Sequence, residues 1–292
     1  MRRVVPLLAS VAIAIGGLVT AASPAAAGER HESNSPYVAM GDSYSSAAGV
    51  NPLVPTAPPT CSRSQLNYAH DIAAQLHPAS FIDVTCSGAK TADFFSSQAS
   101  GVPPQLRALT GKTRLVTMTI GGNDENVFVD SFFGCVTISL QSGSPFGNPC
   151  QQKYGSTFTD LIKTQTYAHV VRALRAVRSK APHAEVFILG YPRILPAKGV
   201  LACYPSMPIS MGDVPWLVRE QETLNTVVRR AAAATGARFV DTYTPSAGHD
   251  ACQAPGTRWI EPASNPINAF PVHPNAAGEA AMARALLRQD RD

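Results

Sequence analysis

The chain has no run of basic residues, no C-x-x-C pair and no tight cluster of cysteine with histidine. The first absence removes nucleic acid as an implied partner, because phosphate binding needs concentrated Lys and Arg. The other two remove zinc sites of the usual ligand spacing, so no metal or organic cofactor is implied. Charge of either sign is sparse, at 15% of residues. Of the 24 Lys and Arg, two (Arg2 and Arg3) stand in the first residues, so 22 face 20 Asp and Glu over the rest, a net of +2. Beyond the N-terminal stretch there is no second long apolar run, and so no later segment fit to span a bilayer. Internal repeats and low-complexity tracts are also missing.

What the chain does have begins at its start. Arg2-Arg3 precede "VVPLLASVAIAIGGLVTAA", and Ala25-Ala26-Ala27 match a small-residue cleavage site. A charged n-region, an apolar h-region and an A-x-A end read as a secretory signal peptide over residues 1–27. A membrane anchor is the rival reading; Pro6, the Gly16-Gly17 pair and the Ala-rich tail favour cleavage. The mature chain, residues 28–292, then suits one compact domain of about 265 residues with a substantial core. It is expected outside the cell, without a membrane anchor and as a monomer.

Six cysteines follow: Cys61, Cys86, Cys135, Cys150, Cys203 and Cys252. An even count in a secreted chain reads as disulfides, with fifteen pairings open. Sequential pairing is the simplest. In a chain this long, such bridges pin loops rather than substitute for a core.

Short β-like runs alternate with helical ones. Strands are expected at 37–40, 81–86, 115–120, 184–190 and 237–241, and helices at 66–76, 158–180, 218–235 and 275–289. This alternation implies an α/β fold, a three-layer α/β/α sandwich around a five-stranded parallel sheet. Residues 49–64 and 131–156, rich in Pro, Gly, Ser and Asn, read as long loops, each carrying cysteine.

In an open parallel sheet, ligands bind beyond the carboxyl ends of the strands. Ser43 in "GDSYSSAAG" follows the first expected strand, Gly88 in "CSGA" the second and Asn123 in "GGND" the third; His273 in "HPN" precedes the last helix. Each has an ordinary explanation taken singly: a cap, a turn, a loop amide, a helix-entry residue. Together they supply a nucleophilic hydroxyl, a base and oxyanion donors, the inventory of acyl transfer.

These four ordered blocks resemble the SGNH, or GDSL, hydrolases, over nearly all of the mature chain. The cysteine arrangement is similar to that of the family's secreted actinobacterial lipases and esterases. The resemblance implies a flavodoxin-like sheet order and a secreted esterase or lipase acting on acyl esters. It makes Ser43 the nucleophile and His273 the base, with the Ser43 and Gly88 N–H groups and the Asn123 amide as oxyanion hole. Ser45, Ser46 and Ala47, being small, are expected to leave room for substrate. The competing α/β-hydrolase architecture needs G-x-S-x-G, which is absent.

One departure stands out. The family usually places an aspartate three residues before the histidine; here that residue is Phe270. Asp241, Asp250 and Glu261 are candidate acids without supporting spacing, and a main-chain carbonyl at Phe270 is the alternative, giving a Ser-His dyad. His249 is a rival base. Val127, Phe128, Phe132, Phe133, Val136 and Ile138 offer either an acyl groove or packing for their loop. A phospholipase A or a polysaccharide deacetylase on the same scaffold, and a non-catalytic secreted binding protein, are the other functions to weigh.

Overall fold

The computed structural model describes Met1 and residues 35–289. The signal peptide expected at residues 1–27 lies outside the described residues.

Five apolar runs become β1 (Pro36–Gly41), β2 (Ser80–Asp83), β3 (Leu115–Thr119), β4 (Glu185–Leu189) and β5 (Arg238–Val240). They pair in parallel, in the order β2-β1-β3-β4-β5. The described helices are α1 (Ser43–Ser46), α2 (Tyr68–Leu76), α3 (Gly134–Ser142), α4 (Pro149–Tyr154), α5 (Thr157–Leu161), α6 (Tyr167–Lys180), α7 (Val214–Thr235) and α8 (Ala276–Gln289).

Alternation along the strands builds the layers. Tyr37, Ala39, Phe187 and Leu189 join Ile72 of α2 and Leu286 of α8 in one core. Val38, Met40, Met118 and Ile188 join Leu174 of α6 and Leu217 of α7 in the other. Each fully buried side chain of this kind contributes about 1.5–3 kcal/mol over exposure, whereas a disulfide adds about 2–4 kcal/mol. Two cores with dozens of such residues therefore outweigh three bridges. The bridges pair sequentially, Cys61–Cys86, Cys135–Cys150 and Cys203–Cys252.

Three expected elements differ. β2 ends at Asp83 rather than running to Cys86, because the Asp83 carboxylate accepts from the Thr85 N–H at 2.9 Å and its hydroxyl at 2.7 Å, closing a turn. The helix expected over 158–180 is interrupted by a π-helical turn, Ile162–Thr166. Most of the stretch 131–156 is helical rather than loop. A π-turn, Val129–Phe133, leads into α3, and Asp213 caps α4 by accepting from the N–H groups of Cys150 (3.0 Å) and Gln151 (2.8 Å). That cap comes from over sixty residues away, so no local signal announced it.

The strand order reverses between β1 and β3. In such sheets the crevice beyond the carboxyl ends of those two strands is where ligands bind.

Candidate active site

The chain leaves β1 through a turn that admits only glycine. Gly41 has φ +118°, and a Cβ there would stand 2.3 Å from the Thr119 carbonyl oxygen. Gln105 fixes the same residue from the side, accepting from its N–H at 2.7 Å and donating to its carbonyl at 3.0 Å. Asp42 then caps α1, accepting from the Tyr44 N–H at 3.0 Å. Ser43 is thus the first residue of α1, where a backbone N–H has no intrahelical acceptor.

His273 reaches this serine across 230 residues. Its Nε2 lies 2.8 Å from Ser43 Oγ, and its Nδ1 lies 2.8 Å from the Pro271 carbonyl oxygen. A carbonyl only accepts, so Nδ1 carries the ring proton and Nε2 offers its lone pair to the serine hydroxyl. Burial holds His273 down at about 4, against the opposing effect of the Pro271 bond. At neutral pH the ring is therefore an unprotonated base, aimed at a hydroxyl.

The supporting carbonyl belongs to Pro271, not to Phe270 as expected from the sequence. Phe270's own carbonyl is taken by the His273 N–H at 3.2 Å, which closes the turn between them, and its N–H donates to Ala48 at 3.0 Å. None of the candidate acids meets the imidazole. Asp241 caps a loop by accepting from the N–H groups of Tyr243 and Thr244, and Asp250 accepts from the Cys252 N–H. Glu261 pairs with Arg258 at 2.6 Å and accepts from Asn275 and the Ile267 N–H. His249 stacks on Trp259, ring centroids 3.9 Å apart, with Nδ1 on the Thr257 carbonyl.

Ser45, Ser46 and Ala47 do not open space for a substrate; all three are completely buried. Ser45 Oγ lies 3.1 Å from the Tyr68 hydroxyl and accepts the Thr119 N–H at 2.7 Å. Ser45 meets the end of the sheet at Thr119, whereas Ala47 packs with Val50 and Ala269.

The other two blocks converge on the same strand ends. Gly88 is exposed in a turn with φ +75°; the Cys86 N–H just before it donates to the Gly41 carbonyl at 3.0 Å. Asn123 donates from Nδ2 to the Ala89 carbonyl at 3.0 Å, which ties the two blocks together. Sequence reasoning missed Tyr191, which follows β4. Its hydroxyl donates to Asp42 at 2.6 Å and receives the Gly122 N–H at 2.8 Å. No sequence signal could have found it, since the partners lie 149 and 69 residues away.

Beside the dyad, Val127, Phe128 and Phe132 line an apolar crevice with Tyr191, Ile194 and Leu224. The Phe128 ring stands edge-on to His273, centroids 5.9 Å apart. Val127 and Phe132 also belong to the main core, against which Phe128, Phe133, Val136 and Ile138 pack. Asp124, Glu125 and His169 form a group of potential metal ligands. Their acceptors are already used: Thr91 donates twice to Asp124, and Glu125 meets His169 and the Thr166 hydroxyl.

The model of the GDSL-like lipase/acylhydrolase family matches residues 39–281. A protein named Lipase 2 from Streptomyces coelicolor is 50% identical over 247 residues, covering 85% of this chain and 83% of that one. Among solved structures, phospholipase A1 from Streptomyces albidoflavus aligns with a TM-score of 0.73 at 29% identity, covering 88% of this chain and 99% of that one. An extracellular lipase from Streptomyces rimosus aligns with a TM-score of 0.72 at 30% identity over the same shares.

Proposed function

Because this chain belongs to the GDSL-like lipase/acylhydrolase family and is a carboxylic ester hydrolase, we propose that it is secreted and works through a Ser43–His273 dyad. In this reading, residues 28–292 form one catalytic domain released from the leader at residue 27. Ser43 Oγ attacks the ester carbonyl carbon as its proton passes to His273 Nε2. The oxyanion of the tetrahedral intermediate is received by the N–H groups of Ser43 and Gly88 and by the Asn123 amide. Collapse breaks the ester bond, and His273 returns the proton to the leaving alcohol. Water, deprotonated by the same nitrogen, then releases the carboxylic acid and restores Ser43.

The observation that carries this reading is the pair of 2.8 Å contacts at His273, one to Ser43 Oγ and one to the Pro271 carbonyl. They supply base, tautomer and nucleophile at once. A neutral carbonyl fixes the ring as an aspartate would, but brings no negative charge to stabilise the imidazolium. The test is Ser43→Ala: it should abolish both p-nitrophenyl ester turnover and labelling by a fluorophosphonate probe while circular dichroism stays native. Retained turnover would defeat the assignment, and an unlabelled, inactive wild type would favour a binding protein.

The crevice beside Phe128 is apolar but holds only about 30 Å³, less than an acyl chain needs, so the substrate's chain length is decided by assay. A phospholipase A1-type activity is the second reading, favoured by the likeness to the S. albidoflavus enzyme. Phosphatidylcholine, p-nitrophenyl esters of rising chain length and acetyl-xylan, assayed side by side, separate these substrates.

A further inference from the structure

The turn that carries the base adopts a conformation its sequence disfavours. Phe270, Pro271, Val272 and His273 close with the His273 N–H on the Phe270 carbonyl, and Val272 stands at φ +64°. Proline second and a positive φ third are the marks of a type II turn, whose third position ordinarily takes glycine. A β-branched residue in this left-handed region is an outlier. Relative to a type I turn, the type II dihedrals reverse the peptide between the two central residues. That peptide carries the Pro271 carbonyl that accepts from His273 Nδ1. If Val272 relaxed to negative φ, the carbonyl would swing away from the imidazole.

Contacts on both sides of Val272 hold it. Its N–H donates to the Glu261 carbonyl at 3.0 Å, and its own carbonyl accepts from the Tyr44 hydroxyl at 2.6 Å. Tyr44 directly follows Ser43, is 2% exposed, and its ring lies against His273 with centroids 5.2 Å apart. Burial raises the Tyr44 hydroxyl well above its ordinary range, so it remains a donor throughout any working pH. Strained backbone persists only where its surroundings over-determine it, and it concentrates at active sites.

We infer that Tyr44 is a positioning residue: its hydroxyl holds Val272 left-handed, which aims the Pro271 carbonyl at His273 Nδ1 and keeps Nε2 on Ser43. The inference rests on the Ser43–His273 reading. Nucleophile and base are thereby aligned through neighbouring residues, one from each block.

The test is a cycle of Tyr44→Phe and Val272→Gly in the full-length enzyme, with a p-nitrophenyl ester as substrate. Tyr44→Phe keeps the ring and removes only the hydroxyl. It should lower kcat about 10- to 100-fold, the scale of loss for a misplaced catalytic group, with KM within about twofold. The acid limb of kcat/KM should move to lower pH, because the Pro271 bond favours the charged imidazolium and is weakened. Val272→Gly alone should cost less kcat than Tyr44→Phe, since glycine takes positive φ without help, and should lower Tm because the Val272 side chain is buried in the main core. The double variant should recover most of the lost kcat and the wild-type limb. Wild-type kinetics in Tyr44→Phe, or a loss that glycine at 272 leaves unrepaired, would overturn the inference. If Tyr44→Phe does not fold, the double variant decides: folded and active supports it, unfolded beside a folded Val272→Gly overturns it. Ser43→Ala runs as the control, and activity surviving there would indict the dyad itself rather than the role of Tyr44.

Discussion

The Tyr191 hydroxyl donates to the Asp42 carboxylate at 2.6 Å, joining the end of β4 to the residue that caps α1. Since the same hydroxyl receives the Gly122 N–H, one phenol sets the distance between the Ser43 turn and the loop that carries Asn123. Tyr191→Phe should therefore lower kcat by roughly tenfold with little change in KM, as expected when a donor for the transition state is displaced. Steady-state kinetics on a short-chain ester measure it; a pure KM effect would place Tyr191 in substrate binding instead.

Asn123→Ala should cost about 10²–10³ in kcat, the usual loss for one oxyanion donor. The side chain also ties Gly88's neighbour Ala89, so thermal denaturation must accompany the kinetics. A fall in kcat without a matching fall in Tm assigns the loss to chemistry.

The pH profile should be displaced towards acid. The base must be neutral to act, and burial holds His273 at about 4, so its contribution to kcat/KM is lost only as pH falls through about 4. Asp42 is pushed up to about 6 by burial; its protonation costs the cap an acceptor and should add a smaller step there. A single full loss near pH 6.5, with nothing left to titrate towards pH 4, would contradict the assignment to His273.

Isosteric amides test the dyad. Asp241→Asn and Asp250→Asn should leave kcat within about tenfold, where loss of a triad aspartate costs around 10⁴ in a serine protease. Glu261→Gln weakens a buried pair with Arg258, so it should lower Tm while the folded fraction keeps comparable turnover. A collapse of triad size at any of the three would expose an acid.

The parallel sheet was legible because five apolar runs alternate with helical spacing, and the four blocks because their residue types and order are distinctive. Residues near in sequence but fixed by distant partners were not. Small side chains at Ser45, Ser46 and Ala47 looked like space for a ligand and are buried instead, Ser45 against the sheet and Ala47 against Val50 and Ala269. Phe270 marked the missing acid, yet which carbonyl replaces it depends on the sign of one dihedral at Val272. The helix at 149–154 has its cap supplied by Asp213, a contact a reader of local pattern cannot see. Tyr191 carries no motif at all.

The Cys61–Cys86 bridge ends two residues before Gly88, and the Ser87 N–H donates to the Cys61 carbonyl at 2.9 Å. The turn bearing the proposed Gly88 donor is thus fastened covalently, by a bridge whose two cysteines are buried in the main core. The position of that donor therefore answers to the compartment in which the chain is oxidised. Protein made in a reducing cytosol should turn over ester poorly until oxidised, whereas a thiol reductant added to the folded enzyme should act slowly, because both sulfurs are buried.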